Sequence, residues 1–225
     1  MGATPDYLRP YADAVEQGGA TFESLLWRSR TAQVQRFDAI IDAISGDLGA
    51  RTVGDLGSGL GDLAVRMAER GMSARGYVGV EGIEDLRMAA AERTLAVGFP
   101  AVHVSGDFAA AGVAGELVRA HGFDTCVLSG SLNTFRQRAA ERVLDAVWTA
   151  LLSRERGEDG VARVLAFNFL SDRPSEKYLK KATGPAKRFD AARMVRFGLE
   201  RTPSVSLRTD YLEGHDALVV MREVV

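Results

Sequence analysis

A short glycine-rich run with acidic neighbours is the part of this sequence best suited to chemistry. Residues 53–62 read Val-Gly-Asp-Leu-Gly-Ser-Gly-Leu-Gly-Asp. Glycines at a strand-to-helix turn let the backbone approach a ligand closely, because no Cβ stands in the way. Asp55 and Asp62 flank the turn, and their carboxylates would repel the pyrophosphate that a dinucleotide fold places there. The pattern therefore favours a ligand that carries cationic groups and no phosphate.

Two further acids follow the next two strand-like segments. Glu81 lies twenty residues after Gly61, where a carboxylate accepts hydrogen bonds from both hydroxyls of a ribose. Asp107 lies between Gly106 and Phe108, placed to accept from an adenine amino group beside an apolar wall. The structural alternative for Glu81 is a solvated carboxylate at the strand end, and that for Asp107 is a plain Gly-Asp turn.

In order and spacing, these motifs resemble those of the class I S-adenosylmethionine (SAM)-dependent methyltransferases over residues 50–170. The resemblance implies that the glycines lie against the amino-acid portion of SAM, with Asp55 near its ammonium. It also implies that Glu81 holds the ribose, that Ile83 packs on the adenine and that Asp107 binds the adenine edge. The implied cofactor-binding residues in this stretch are Asp55, Gly57, Ser58, Gly59, Gly61, Glu81, Gly82, Ile83, Gly106, Asp107 and Phe108.

Alternating strand-like and helix-like segments must position these residues. Strands are predicted at 52–56, 77–80, 101–104, 123–128 and 161–169, with amphipathic helices between several of them. Such alternation implies right-handed crossovers and a parallel sheet covered on both faces. The last two strand-like runs, 205–209 and 217–221, are joined by a link too short for a helix, so they must be antiparallel. The predicted fold is a Rossmann-like three-layer αβα sandwich with a mostly parallel seven-stranded sheet and a C-terminal antiparallel hairpin.

We predict two parts of the chain: a helical cap over the cofactor site at 1–46, and a SAM-binding domain at 47–225. The helix that begins near Thr31 belongs to the cap. Its Arg36 is suited to the carboxylate of SAM, and Trp27 and Phe37 are its other candidate functional side chains. The alternative is that Arg36 is merely solvated and Phe37 belongs to the core.

The acceptor should lie beyond the carboxyl ends of the strands. The fourth strand leads to residues 129–134, a Ser-Gly-x-x-Asn turn similar to that of a group of small uncharacterised bacterial methyltransferases. Ser129 is a candidate contact to the methionine portion of SAM, and Asn133 either faces the acceptor or caps a helix. Catalytic residues stay unknown, since methyl transfer needs orientation more than acid–base groups. Asn133, His215 and Tyr211 are weak candidates.

A basic insertion at about 172–202 follows the fifth strand. The wider segment 173–208 holds ten basic residues against three acidic ones. It is either a solvated cover or an electropositive lid that attracts an anionic substrate or RNA.

Composition restricts the remaining possibilities. The chain has 225 residues, 46% hydrophobic and 26% charged, with a formal net charge of −2 and a single cysteine. No metal-ligand cluster, apolar run of membrane-spanning length or secretory signal is recognisable, so we expect a cytoplasmic protein without a membrane partner or a metal.

The leading functional prediction is a SAM-dependent methyltransferase acting on a small molecule, with S-adenosylhomocysteine (SAH) as product. An RNA or protein methyltransferase is the second possibility, although nucleic acid is not favoured. An NAD(P)-binding oxidoreductase and a non-catalytic SAM-binding protein are the others. The acceptor and its reacting atom, any general base and the oligomeric state are not predicted.

Overall fold

The computed structural model describes residues 4–154 and 160–224 and contains the predicted sheet. Seven strands follow the order β3-β2-β1-β4-β5-β8-β7, in which β8 runs antiparallel to both of its neighbours. The short β6 pairs with the end of β5 and was not predicted. The strands are β1 (Thr52–Leu56), β2 (Gly76–Glu81), β3 (Val102–Ser105), β4 (Thr125–Leu128), β5 (Val164–Ser171), β6 (Arg188–Phe189), β7 (Ser204–Arg208) and β8 (Asp216–Arg222).

Helices cover both faces of this sheet. They are α1 (Arg9–Gly18), α2 (Arg30–Ile44), α3 (Asp62–Glu69), α4 (Glu84–Ala96), α5 (Val113–His121), α6 (Gln137–Ser153), α7 (Glu176–Leu179) and α8 (Ala191–Leu199). Side chains of α5, α6 and α8 pack on one face, and those of α2 and α3 pack on the other. The alternation of β5 shows the division, since Leu165 and Phe167 join the first cluster while Val164 and Ala166 join the second. The three-layer αβα prediction is confirmed.

The cap predicted at 1–46 divides into two structural parts. Helix α2 packs against α3, β5 and β8 and buries Ile40, Ile41 and Ile44, so it is one of the layers of the sandwich. The preceding segment, with α1 and a 3₁₀ turn at Glu23–Leu25, lies over the pocket described below, and α2 adds Gln33 and Phe37 to the lining of this pocket. Helices α1 and α5 were not predicted although both are amphipathic, because they are only ten and nine residues long and their periodicity spans fewer than three turns.

A buried ion cluster joins the amino-terminal ends of three strands, opposite the pocket. The Asp124 carboxylate accepts from the guanidinium groups of Arg75, Arg154 and the fully buried Arg163, and from the backbone N–H of Thr52. This network satisfies the buried charges and fixes where β1, β4 and β5 begin. No helix within the described ranges combines the length and the apolar character needed to cross a membrane.

The contact between Gly54 and Phe123 gives a stability prediction. A Cβ at Gly54 would lie 2.5 Å from the ring carbons of Phe123, whose side chain is fully buried. Overpacking of this kind costs about 1–3 kcal/mol. We therefore expect Gly54→Ala to lower the free energy of unfolding by that amount in urea titration. Gly46→Ala is the control, because a Cβ there meets nothing within 4 Å. Equal stabilities for the two variants would contradict the packing described.

Candidate functional site

A cavity of about 990 Å³, counted with its open mouth, lies at the carboxyl ends of β1, β2 and β4. This is the edge where open α/β sheets bind their ligands. Nine of the thirteen residues predicted to bind the cofactor line it: Asp55, Gly57, Ser58, Gly59, Glu81, Gly82, Gly106, Phe108 and Ser129.

The turn after β1 requires glycine for two reasons. Gly57 and Gly59 have φ of +81° and +54°, in the left-handed region that L side chains rarely adopt. A Cβ on Gly57 would lie 2.5 Å from the Cβ of Ser131, and one on Gly59 would lie 2.8 Å from the side chain of Leu25. The turn is therefore a narrow cradle between the β4 loop and the N-terminal segment.

Glu81 joins the end of β2 to this turn. Its carboxylate accepts from the backbone N–H of Gly59 at 2.8 Å and from that of Ile83 at 3.0 Å. Burial raises the pKa of the carboxyl, while these backbone hydrogen bonds act in the opposite direction. Glu81, the acid predicted to bind the ribose, is thus held in place by backbone N–H groups of the glycine turn and of the residues that follow β2.

Asp55 is a second buried acid of the pocket. The Tyr77 hydroxyl donates to its Oδ2 at 2.5 Å. Burial raises the pKa of Asp55 to about 7, the Tyr77 hydrogen bond lowers it, and Glu81 and Asp62 add to the rise. A cationic group bound beside Asp55 would favour the ionised carboxylate.

Asp62 occupies the first turn of α3, at the position of the third glycine in a dinucleotide pattern. Gln33 donates to its Oδ2 at 3.0 Å, and Arg93 forms an ion pair with its Oδ1. The pocket therefore contains three carboxylates. Among the residues that the structure describes, no lysine, arginine or histidine lines it.

Four predicted cofactor residues do not line the cavity. Gly61 faces Ala90, Thr94 and His103, so it serves helix packing. Ile83 packs in the small apolar cluster that includes Val15, Leu60 and Leu86. The Asp107 carboxylate accepts a hydrogen bond from the Tyr7 hydroxyl and another from the backbone N–H of Ala109. The fourth is Arg36.

Arg36 is placed differently from our prediction for the SAM carboxylate. It is buried and its Nε donates to Asp216 Oδ2 at 2.6 Å, an ion pair across 180 positions of sequence. Its guanidinium also lies 4.9 Å from the centroid of the Trp27 ring. A buried guanidinium needs a carboxylate partner, and here Asp216 supplies it outside the pocket.

The weak catalytic candidates are separated in space. Asn133 lines the pocket and accepts from the Leu170 N–H at 3.3 Å; it does not cap α6, whose N-cap is Arg136. His215 stacks on Tyr178 with 4.3 Å between ring centroids. The Tyr211 hydroxyl donates to Asp216 at 2.6 Å. Neither His215 nor Tyr211 lines the pocket.

The N-terminal segment covers the glycines of the pocket with side chains that were mostly not predicted. A Cβ on Gly130 would meet the Trp27 ring at 2.5 Å, and one on Gly82 would meet Leu8 at 3.0 Å. Tyr7, Tyr11 and Leu25 complete this cover. Of these residues only Trp27 was a candidate, because the glycines that Leu8, Leu25 and Trp27 meet lie far along the chain and the local sequence does not indicate such contacts.

Three hydroxyl groups of the pocket have no protein partner. The Oγ atoms of Ser58, Ser129 and Ser131 are buried without a hydrogen bond, and all three residues line the cavity. Buried polar groups are nearly always satisfied. These hydroxyls are therefore available to the polar groups of a ligand.

The basic insertion reaches the pocket, but much of its charge is compensated. Thr183, Pro185 and Ala186 line the mouth. Within the part of the chain that the structure describes, five basic side chains of the wider segment 173–208 form ion pairs with acids outside it: Arg173 with Asp172, Lys177 with Glu213, Arg193 with Glu141, Arg201 with Asp145 and Arg208 with Asp210. The segment is thus not one uniform electropositive lid. Among the described residues, no three His, Cys, Asp or Glu side chains are grouped to hold a metal.

Comparison with known proteins establishes the fold. No family model and no curated protein matches the sequence. Magnesium protoporphyrin IX methyltransferase from Synechocystis PCC 6803, solved with SAH, has a TM-score of 0.64 and 16% identity, covering 96% of this chain and 94% of its own. A SAM-dependent methyltransferase from Leishmania major has a TM-score of 0.63 and 14% identity, covering 98% and 87%.

A third structure comes from work on the conversion of a disulfide bond into a thioacetal group during echinomycin biosynthesis. Its TM-score is 0.59 with 21% identity, covering 94% of this chain and 91% of its own. At these identities the likeness concerns the fold. The chain has the fold of the class I SAM-dependent methyltransferases, as its motifs predicted.

The hydrogen bond from Tyr77 to Asp55 gives a prediction that needs no ligand. Because Tyr77 donates to the ionised carboxylate, Tyr77→Phe should raise the pKa of Asp55 further above 7. Carboxyl ¹³C NMR titration measures the shift, with Asp55→Asn assigning the signal and Tyr211→Phe as the control. Because the folded-state pKa of Asp55 lies above its ordinary value of 3.8, protonated Asp55 contributes stability at low pH. This contribution is fully present below pH 3.8 and is lost as the pH rises through 7. An unchanged or lowered pKa in Tyr77→Phe would contradict the geometry.

Proposed function

We propose that the protein is a SAM-dependent methyltransferase that acts on a small-molecule acceptor. One observation carries the proposal: the glycine cradle opens into a pocket with three carboxylates and no cationic lining residue. SAM carries an ammonium and a sulfonium, and such a pocket favours both. The pyrophosphate of NAD(P) would face Asp55 and Glu81, neither of which forms an ion pair with a cation among the described residues, and this argues against an oxidoreductase.

The residues present fit the ribose, the ammonium and the carboxylate of SAM. Glu81 is placed to accept the ribose hydroxyls and Asp55 to pair with the ammonium. The free hydroxyls of Ser58 and Ser129 offer donors to the carboxylate that we first assigned to Arg36. When bound, SAM supplies a methyl group on a sulfonium. The chain contributes a cradle that orients this group and a cover that excludes water, which are the main needs of an in-line transfer.

The pocket offers no strong general base for the acceptor. Two of its carboxylates, Asp55 and Glu81, are assigned to SAM, and Asp62 is paired with Arg93. The other titratable lining groups among the described residues are the hydroxyls of Tyr7 and Tyr11, and burial raises the pKa of Tyr11 to about 12. Tyr7 already donates to Asp107. We therefore infer an acceptor atom that is nucleophilic without strong deprotonation, with Asn133 as the polar group nearest to it on the β4 loop.

A small acceptor fits the enclosure better than a macromolecule does. Leu26 and Trp27 of the N-terminal segment and Thr183, Pro185 and Ala186 of the basic segment all line the pocket, and Leu26 and Pro185 are exposed. The similar structure from Synechocystis is named a magnesium protoporphyrin IX methyltransferase, and this name supports a small-molecule acceptor. We propose that residues 7–27 act as the cap of the cofactor site.

Cofactor identity is tested by isothermal titration with SAH and, separately, with NADH. We expect SAH to bind in the micromolar range, Gly59→Arg to abolish binding, and Glu81→Ala to weaken it about 10- to 100-fold, the usual worth of charged hydrogen bonds. Glu84→Ala is the matched control, since Glu84 lies three residues on and is exposed. Preference for NADH would overturn the proposal.

Protonation of Asp55 predicts how SAH binding depends on pH. With a pKa of about 7, Asp55 is mostly protonated at pH 6 and ionised at pH 8. Because the SAH ammonium pairs with the ionised form, SAH affinity should fall severalfold from pH 8 to pH 6. Titration with 5′-methylthioadenosine, which lacks the ammonium, should not show this loss. Equal pH profiles for the two ligands, or an unaltered SAH profile in Asp55→Asn, would refute the assignment.

A further inference from the structure

A group of basic side chains surrounds Tyr178 beside the mouth of the pocket. The Arg28 guanidinium lies 5.8 Å from the centroid of the Tyr178 ring, Lys177 Nζ lies at 5.2 Å and Lys181 Nζ at 5.3 Å. Arg188 donates to the backbone carbonyl of Tyr178 at 3.2 Å. We call Arg28, Lys177, Lys181 and Arg188 the rim cluster.

Only one carboxylate compensates these four cations. Glu213 pairs with Lys177 at 2.6 Å. Within residues 4–154 and 160–224, Arg28, Lys181 and Arg188 have no acidic side chain at ion-pair distance. This contrasts with Arg193, Arg201 and Arg208 of the same basic segment, which are all paired. Like charges held together without counter-charges create a local positive potential that attracts anions.

Arg188 shows most clearly that this charge is uncompensated. It is half-buried, and its guanidinium donates to the Ser171 carbonyl at 2.7 Å and the Tyr178 carbonyl, with His215 Nδ1 at 3.3 Å. Burial, together with the nearby Arg36, Arg188, Arg28 and Lys181 cations, lowers the pKa of His215 to about 4. The imidazole is therefore neutral near pH 7 and neither adds to nor offsets the positive charge.

The rim cluster is continuous with the pocket along the chain. Arg28 directly follows Trp27, a lining residue. The lining residues Thr183, Pro185 and Ala186 lie between Lys181 and Arg188. The lining segments 25–27 and 183–186 are therefore bordered in sequence by residues of the rim cluster, whereas no lysine, arginine or histidine among the described residues lines the pocket itself.

We propose that the rim cluster binds an anionic group, a carboxylate or a phosphate, of the methyl acceptor while the nucleophilic part of the acceptor enters the pocket. This assignment rests on the function proposed above and adds the charge of the substrate to it. The cluster is confined to the surroundings of one tyrosine, which suits a single anionic group. An RNA backbone would require unpaired cations along a longer path.

A pair of fluorescent probes tests the charge directly. 8-Anilino-1-naphthalenesulfonate carries an anionic group, and N-phenyl-1-naphthylamine is its uncharged analogue. Both are titrated with the full-length protein, with and without saturating SAH. We expect the anionic probe to bind about tenfold more weakly to Lys181→Gln and to Arg28→Gln, since a charge-assisted contact is lost. The uncharged probe should bind all proteins equally.

Arg196→Gln is the matched control. It removes the same charge from the same basic segment, but its exposed side chain lies in the groove between α6 and α8. Arg188 also donates to the backbone carbonyls of Ser171 and Tyr178, so binding by Arg188→Gln is compared only after circular dichroism shows a native fold. The main test therefore uses Arg28→Gln and Lys181→Gln. Stronger displacement of the anionic probe by phenyl phosphate than by benzoate indicates a phosphate site, and the reverse order a carboxylate site.

The outcomes separate this proposal from the methyltransferase proposal. If SAH binds but the rim variants retain the anionic probe, or lose both probes alike, the rim assignment is wrong and the cofactor assignment stands. If SAH does not bind while the rim variants still lose the anionic probe selectively, the cofactor assignment is wrong. The rim cluster then remains an anion site, but its ligand is not a methyl acceptor. Tight binding of a 20-nucleotide RNA that Arg196→Gln weakens as much as Lys181→Gln would overturn the small-molecule anion site in favour of an extended RNA surface.

Discussion

The burial of three carboxylates around one turn is the constraint on which the site depends. Burying an ionised carboxylate costs free energy unless it is hydrogen-bonded or paired with a cation. Because Asp55, Asp62 and Glu81 lie close together, the charge of each also makes ionisation of its neighbours less favourable. Each is held by a different means. Asp62 has an arginine and an amide, Glu81 has two backbone N–H groups, and Asp55 has one tyrosine hydroxyl. Asp55 is the least compensated, so its ionised form is the one that gains most from a bound cation.

These compensating groups explain why the layers of the fold must meet at this edge. Gln33 comes from α2, Tyr77 from β2 and Arg93 from α4. Satisfying the acids thus fixes two helices and a strand relative to the glycine turn. The apolar clusters on the two faces supply most of the stability, but they do not by themselves determine where the polar groups lie. The polar contacts select the register in which the pocket forms.

Much of this arrangement was predictable, because it depends on local patterns. Buried strands, amphipathic helices and the short link before β8 are visible as periodicity and spacing, and the glycine turn with Glu81 marks the pocket. Long-range pairing has no such signal. Arg36 and Asp216 are 180 positions apart, and no property of either residue alone indicates that one neutralises the other. The contribution of Leu8 and Leu25 to the cover was not predicted for the same reason, since these side chains pack against glycines far along the chain.

The separation of charge in the folded protein goes further than its net charge of −2 suggests. Acidic side chains line the interior of the pocket and uncompensated basic ones lie at its mouth. A field of this shape orients a ligand before contact, because a cationic end is drawn inward and an anionic end is retained outside. In the methyl transfer proposed above, orienting the ligand lowers the activation barrier, as a catalytic group would. It reduces the freedom that the two reactants must lose before the bond is exchanged.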